Sequence, residues 1–235
     1  MATIYLIRHG QASFGADNYD CLSELGRRQA QITGEYLARI GVRFDAAYAG
    51  TLERQRDTAS LALAAQAAAP ELCIDARLDE VRNDEQIEYL LPKVMESRPE
   101  LRAIVDKGLN SSKRFQKAIE AVFNYWVSPE CDDPRIQSWA EYSGQVQAML
   151  SDIIREQGAG KTVGVFTSGG TIAVMVAAVL GLPGSGTYQF YEPMFNCSVT
   201  QLFYSAERVS LSSFNDCSFL RQLSTDLGEQ LVTYR

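Results

Sequence analysis

Short apolar runs alternate along this chain with longer segments in which apolar residues recur at helical spacing. The apolar runs predict strands at residues 3–7, 44–49, 72–74, 162–166, 197–204 and 208–212. The periodic segments between them predict helices at residues 23–41, 52–69, 138–157 and 169–180. Alternation of this kind favours a mostly parallel sheet covered by helices, whose ligand site lies at the carboxyl ends of the strands.

Local signals place the ends of the first two helices. Ser23 is a suitable N-cap, with Leu22 before it as a hydrophobic staple, and Gly41 ends the same helix. The second predicted helix is rich in alanine and leucine and is expected to continue until Pro70 stops it.

The segment from about residue 84 to residue 133 interrupts the alternation. It is charged and amphipathic, and its helices are predicted to break at Pro92, Pro99, Pro129 and Pro134. We interpret it as an inserted helical cap, with Tyr89, Phe123, Tyr125 and Trp126 in its core. The prediction is one domain over residues 1–235 with the α/β class, a three-layer sandwich of helices around a mostly parallel sheet, plus this cap.

Composition narrows the classes of partner. A chain of 235 residues suits one large domain, and its formal charge of −7 argues against nucleic acid or an anionic membrane as the main partner. A small anionic substrate stays open, because local arginines can overcome a modest overall field. No leader pattern precedes the first strand, and the apolar run at 171–182 is too short to span a bilayer, so we expect a cytoplasmic protein.

Cysteine usage disfavours a disulfide framework and a zinc site. The five cysteines are odd in number, widely spaced and without a CxxC pattern, which fits reduced thiols. A metal site elsewhere is also disfavoured, because the single histidine near Asp17 and Asp20 lacks further good ligands. No cofactor is expected.

The chain contains one histidine, His9, in the stretch Ile7-Arg8-His9-Gly10, where an apolar run meets a turn. The exit of this strand therefore combines three features. The guanidinium is a cation, the imidazole is a nucleophile or base, and the glycine allows another group to approach the backbone closely. Any chemistry that needs two imidazoles is excluded, unless other residues replace the second one.

Two more strand ends carry polar residues. The second strand leads into Gly50–Ala59, which contains Arg54, and a later strand ends at Thr167–Thr171, where backbone N–H groups at a helix start favour an anion. Two arginines and such a turn describe a phosphate pocket, with His9 as the nucleophile. Each feature alone also has an ordinary structural explanation as a loop histidine, a solvated helix arginine or a simple turn.

These residues resemble the histidine phosphatase superfamily, also called phosphoglycerate mutase-like. The resemblance is carried by blocks in the family's order: Ile7–Gln11, Leu22–Gly26 with Gln29 and Ala30, Leu52, Arg54, Thr58 and Ala59, Leu78–Glu80, Ser168–Gly170 and Asn196–Thr200. The segment at 84–133 is not covered by any of these blocks.

The resemblance implies phosphoryl transfer through a phosphohistidine. On this basis His9 is the nucleophile, Arg8 and Arg54 clamp the phosphate together with Ser168 and Gly169, and Glu80 protonates the leaving alcohol. Glu85 and Asp84 are alternatives for the last role.

The chain departs from the family at three places. Ser168 stands where the family has a second histidine, and a hydroxyl offers one neutral hydrogen bond in place of a charged donor. Ala12 and Gly15 replace polar residues after the glycine, so we consider Gln11, Ser13 and Asn18 as replacement donors. Phe219-Leu220 stands where many relatives carry His-Leu.

Two functions of different classes follow. The first is a phosphomonoester hydrolase acting on a small phosphorylated metabolite or a phosphoprotein, and the second is a catalytically impaired protein that binds a phosphorylated ligand. A mutase is disfavoured, because it must return the phosphoryl group in a second substrate orientation. The late strands offer an edge for a homodimer, which nothing in the sequence demands.

Basic residues of the 84–133 segment are candidates for substrate selection, although most are expected on solvated helix faces. They are Arg98, Arg102, Lys107, Lys113, Arg114 and Lys117.

Overall fold

A computed structural model describes residues 2–13, 20–109 and 112–234. Its strands are β1 (Ala2–Arg8), β2 (Ala46–Ala49), β3 (Leu72–Ile74), β4 (Thr162–Thr167), β5 (Val199–Tyr204) and β6 (Val209–Asp216). In the described residues these strands form one sheet in the order β3-β2-β4-β1-β5-β6. Strands β1 to β4 are parallel and β5 and β6 are antiparallel, which confirms the predicted α/β class with a mostly parallel sheet.

The helices surround this sheet. They are α1 (Glu24–Arg39), α2 (Glu53–Leu63), α3 (Asn83–Ser97), α4 (Pro99–Val105), α5 (Ser112–Trp126), α6 (Trp139–Gln157), α7 (Gly169–Val179), α8 (Tyr188–Tyr191) and α9 (Ser218–Leu227). Ser23 caps α1 through Gly26 N, as predicted. Ser138 caps α6 in a reciprocal capping box with Glu141.

The alternation of side chains along the strands creates two cores. Ile4 and Leu6 of β1 point into a core shared with α6 and α7, whereas Ile7 points into a core shared with α1, α2 and α9. Phe166 of β4 joins Ile7 on the second side. Helices therefore cover both faces of the sheet and leave the carboxyl ends of the parallel strands at one edge.

Helices α3, α4 and α5 occupy most of the segment between residues 84 and 133, and their buried side chains join the core of Ile4 and Leu6. The predicted break at Pro92 is wrong, because Pro92 lies inside α3. Proline removes one helical hydrogen bond, but Leu90, Leu91 and Val94 around it are buried, so apolar packing holds the helix together.

Two further elements differ from the prediction. Helix α2 ends at Leu63 rather than near residue 69, and the buried Gln66 side chain then contacts Phe44 N and Val42 O, each at 3.4 Å. Helix α9 was not predicted. It packs on α1, where Phe219 stacks on Tyr36 with ring centroids 4.3 Å apart.

Candidate active site

The site lies where the parallel strands end. Arg8 of β1 pairs with Thr167 of β4, and the next residue, His9, donates its N–H to Thr167 O at 2.9 Å. Since Ser168 follows Thr167, the register brings the histidine and the serine to neighbouring strand exits. The sequence pattern had placed both residues at this edge.

The glycine after the histidine allows α1 to approach the loop. A Cβ on Gly10 would lie 2.3 Å from Gly26 O, so any larger residue would displace the backbone of α1. Gly10 N donates to Thr58 Oγ1 at 3.0 Å, which joins the same loop to α2.

Gln11 and Ser13 form contacts that hold this loop in place. The Gln11 side-chain oxygen accepts from Ser23 Oγ at 2.9 Å, and Gln11 N donates to Gln29 Oε1 at 2.9 Å. Ser13 N donates to Cys21 O at 2.8 Å. These contacts tie the loop to the start of α1. The third candidate donor, Asn18, lies outside the described residues.

His9 is buried, with 5% of its surface exposed. Its Nδ1 lies 2.7 Å from Gly10 O, and its Nε2 lies 3.3 Å from Arg54 Nε. Because the carbonyl can only accept, Nδ1 carries the proton and Nε2 keeps its lone pair. Burial lowers the pKa of His9 well below 6.5, and the charges of Arg54 and Arg8 lower it further. Both effects favour the neutral imidazole, whose Nε2 accepts from Arg54 Nε.

Arg54 sits in the first turn of α2 and is anchored by Asp20. Its Nη1 lies 2.6 Å from Asp20 Oδ1, while Asp20 Oδ2 accepts from Glu53 N at 2.7 Å. The carboxylate thus caps the positive end of α2 and holds the guanidinium beside His9. Sequence reasoning considered Asp20 only as a weak metal ligand and missed this anchor.

Arg8 ends β1 and is held by the carboxyl-terminal part of the chain. Its Nη1 donates to Met194 O and, at 3.1 Å, to Tyr234 O. Its charge lowers the pKa of both His9 and Glu80, so it acts on both groups of the site.

Glu80 precedes α3 in the chain, and its side chain lies against the first turn of α7. Its Oε1 accepts from Val81 N at 2.9 Å and from Gly170 N at 3.0 Å. Burial raises the pKa of this carboxyl above 4.5, although Arg54, Arg8 and the two N–H groups oppose the shift. The proposed alternatives lie elsewhere, because Asp84 is exposed and Glu85 pairs with Arg82 at the surface, 3.3 Å apart.

Ser168 is the fully buried N-cap residue of α7, and its Oγ accepts from Gln55 Nε2 at 2.8 Å. Gln55 was not among the predicted site residues. The predicted anion-binding turn is partly occupied, because Gly170 N already donates to Glu80. Gly169 does face the site: a Cβ there would lie 3.7 Å from Arg8 Nε and 3.2 Å from the Tyr191 ring.

Tyr191 and Asn83 border the site and were also missed. Tyr191 Oη lies 2.7 Å from Asn83 Nδ2, and burial and the charge of Glu80 both raise the pKa of the tyrosine. Most of the basic residues predicted to take part in substrate selection are exposed: Arg98, Arg102, Lys107 and Lys117. Arg114 is half-buried. The Lys113 side chain lies outside the description.

The described ranges lack two other classes of feature. No cluster of three or more His, Cys, Asp or Glu side chains there is arranged to hold a metal ion. None of the helices described combines the length and the apolar character needed to cross a membrane.

Comparison with known families gives one match that spans most of the chain. The model of the histidine phosphatase superfamily (branch 1) matches residues 4–108 and 100–217. Serine/threonine-protein phosphatase Pgam5, mitochondrial, of Drosophila ananassae is 40% identical over 62 residues, which are 26% of this chain and 22% of that protein. The chain thus matches only about a fifth of the length of these curated relatives.

Solved structures share the fold at lower identity. A mutant of phosphoserine phosphatase from Entamoeba histolytica, in complex with phosphoserine, superposes with a TM-score of 0.64 at 19% identity, covering 94% of this chain and 100% of that one. The mycobacterial glucosyl-3-phosphoglycerate phosphatase with inorganic phosphate gives 0.64 at 22% identity, covering 92% and 98%.

Proposed function

The chain belongs to the histidine phosphatase superfamily, and on that premise we propose that it is a phosphomonoester hydrolase working through a phosphohistidine. Its substrate is a small phosphorylated metabolite or a phosphoprotein. The observation that carries the proposal is the geometry of the buried His9, whose Nδ1 donates to Gly10 O at 2.7 Å and whose Nε2 accepts from Arg54 Nε at 3.3 Å. Burial and the neighbouring arginines lower its pKa, which favours the neutral imidazole. A nucleophilic histidine needs this tautomer and this charge.

In the first step, His9 Nε2 attacks phosphorus and the bond to the ester oxygen breaks. Glu80 transfers its proton to the leaving oxygen, while Arg8, Arg54 and Ser168 hold the non-bridging oxygens. In the second step, water attacks the phosphohistidine and the P–N bond breaks. The Glu80 carboxylate then takes a proton from the attacking water, and phosphate leaves with the enzyme restored.

Two properties of Glu80 support its role as the acid. Its raised pKa keeps more of the carboxyl protonated at a given pH than an ordinary glutamate, as a proton donor requires. Its Oε1 is engaged by Val81 N and Gly170 N, so the proton is directed to the other oxygen.

The second candidate function is a phosphate-ligand binding protein of the same fold with impaired catalysis. The observation that favours it is Ser168, a neutral residue that already accepts a hydrogen bond from Gln55. Both functions use the same pocket, and they differ in whether a covalent intermediate forms.

The test compares wild type with His9→Ala on an aryl phosphate and on several alkyl phosphates. We expect the substitution to lower kcat by at least about 10³-fold, because it removes the nucleophile. Rapid quenching of wild type with a ³²P-labelled substrate should trap a phosphohistidine, and His9 is the only histidine in the sequence that can carry it. If wild type hydrolyses none of the esters faster than His9→Ala, the hydrolase proposal is wrong.

A further inference from the structure

A buried pair formed by an amide and a hydroxyl lies behind the phosphate pocket. Gln55, one residue after Arg54, is fully buried. Its Nε2 donates to Ser168 Oγ at 2.8 Å and to Leu78 O at 3.0 Å, so both amide protons are used. The reversed amide would place Oε1 against the Leu78 carbonyl, where two acceptors would repel each other. The amide orientation is therefore fixed.

The orientation of the amide fixes the role of the serine hydroxyl. Ser168 Oγ accepts from Gln55, so its own proton must point in another direction. The hydroxyl does not cap α7, and no other group in the described part of the chain accepts from it. Because Thr167, the preceding residue, accepts the His9 N–H, the hydroxyl lies at the same strand edge as the nucleophile.

The remaining amide oxygen indicates that this arrangement is maintained at a cost. Gln55 Oε1 is buried and has no hydrogen-bond partner among the residues that the structure describes. It is packed against Gly50, where a Cβ would lie only 1.9 Å from it. An unsatisfied buried acceptor destabilises the folded state, so the other contacts of this amide must offset that cost. The glycine and the two donated bonds hold the amide in this position.

We propose that Gln55 is a positioning residue that aims the Ser168 hydroxyl proton at a non-bridging oxygen of the phosphoryl group. The pair acts as one neutral donor: the amide fixes the lone pairs of the serine, and the serine donates to the anion. This inference rests on the proposed use of the pocket for a phosphoryl group, but it does not require turnover.

The sharpest test is Gln55→Glu, which keeps the size of the side chain. An ionised carboxylate accepts from Ser168 and turns the hydroxyl away from the phosphate. We expect kcat to fall about 10²-fold and the affinity for inorganic phosphate to fall about tenfold or more. As the pH falls, the introduced carboxyl group becomes protonated and can again donate to Ser168. The activity of Gln55→Glu relative to wild type should therefore rise towards low pH.

Gln55→Met and Ser168→Ala form a double-mutant cycle for the same contact. If the glutamine acts through the serine, Gln55→Met should cost much less in the Ser168→Ala background than in wild type. Gln66→Glu is the matched control, because it places a charge at another buried glutamine away from the pocket. Circular dichroism and the free energy of unfolding establish that each variant folds.

Binding of inorganic phosphate, measured by calorimetry, separates this inference from the hydrolase proposal. If wild type has no turnover but Ser168→Ala and Gln55→Glu both weaken phosphate binding while Gln66→Glu does not, the inference stands and the hydrolase proposal fails. If folded Ser168→Ala and Gln55→Glu bind phosphate as wild type does, the inference is overturned. The inference would also be overturned if the effects of Gln55→Met and Ser168→Ala on activity were strictly additive. The same holds if the activity of Gln55→Glu relative to wild type did not change with pH.

Discussion

Replacing Glu80 by glutamine separates proton transfer from phosphate binding in this site. The amide keeps an oxygen that accepts from Val81 N and Gly170 N, now 2.9 and 3.0 Å from Glu80 Oε1, so the side chain should stay in place. What it loses is the proton on the second oxygen. Any change in rate then measures the acid, because the size and the backbone contacts are conserved.

The size of the effect depends on the leaving group. General acid catalysis contributes typically 10²–10⁴-fold, and an alkoxide needs the proton whereas a nitrophenolate leaves without it. For an alkyl phosphate we expect Glu80→Gln to lower kcat by about 10²–10⁴-fold. For nitrophenyl phosphate the loss should stay below about tenfold, or 1.4 kcal/mol.

The pH profile of wild type should have two limbs with opposite causes. Glu80 must be protonated, so activity is present below its raised pKa and is lost as the pH rises through that value. His9 must be neutral, so activity is lost as the pH falls through its lowered pKa. Glu80→Gln should remove the alkaline limb for alkyl phosphates and keep the acid limb.

Stability provides an independent measure of the same pKa. Because burial raises the pKa of Glu80, the folded protein binds this proton more tightly than the unfolded chain does. The contribution to the free energy of unfolding is fully present below the unfolded pKa and is lost as the pH rises through the folded one. In urea titrations, Glu80→Gln should flatten this decline between the two values.

Glu85→Gln is the matched control, since this carboxylate lies five positions further along and pairs with Arg82 at the surface. This substitution should leave kcat on both esters and the pH profile unchanged. Equal losses on the alkyl and the nitrophenyl ester in Glu80→Gln would refute proton transfer and assign Glu80 a purely structural role. A loss in Glu85→Gln that is confined to the alkyl ester would identify the other carboxyl as the acid.

Two further predictions concern packing. Gly10→Ala should lower the free energy of unfolding by about 1–3 kcal/mol, because the added Cβ would lie 2.3 Å from Gly26 O. Gly144→Ala inside α6 should raise it by about 0.5–1 kcal/mol, because the added Cβ there meets nothing within 4 Å. Urea titrations in which both variants change stability in the same direction would contradict this reasoning. Ser168→His alone should lower kcat on nitrophenyl phosphate, because the larger imidazole would meet Gln55 Nε2, which lies 2.8 Å from Ser168 Oγ. Adding Gln55→Ala should recover activity, and a single variant faster than the double one would show that the space is not limiting.

Much of the site could be predicted because the signals are local. An apolar run followed by Arg8 and His9 marks the end of a strand, and the same holds for the run that ends before Ser168. In a parallel sheet these ends meet at one edge, so the two residues could be placed together without knowledge of the contacts. The Ser23 cap and the mostly parallel sheet followed from the same kind of local pattern.

The contacts that orient the side chains of the site could not be predicted, because they join distant parts of the chain. Gln55 and Ser168 are 113 positions apart, and Arg54 and Asp20 are 34 positions apart. Nothing in the composition around Gln55 distinguishes a buried amide from a solvated one on a helix. The predicted helix break at Pro92 was wrong for a related reason, since the buried apolar face of α3 outweighs the local effect of the proline.

Under the proposed function, the charges of the pocket favour a neutral hydroxyl over a second imidazole at position 168. Arg8 and Arg54 already lower the pKa of His9, and a third buried cation would lower it further while losing its own hydration. A neutral donor is roughly half as strong as a charged one. In return, it perturbs the pKa of His9 less, and a hydroxyl can donate a hydrogen bond without first taking up a proton. We therefore expect the pH dependence of turnover to follow the lowered pKa of His9 and the raised pKa of Glu80.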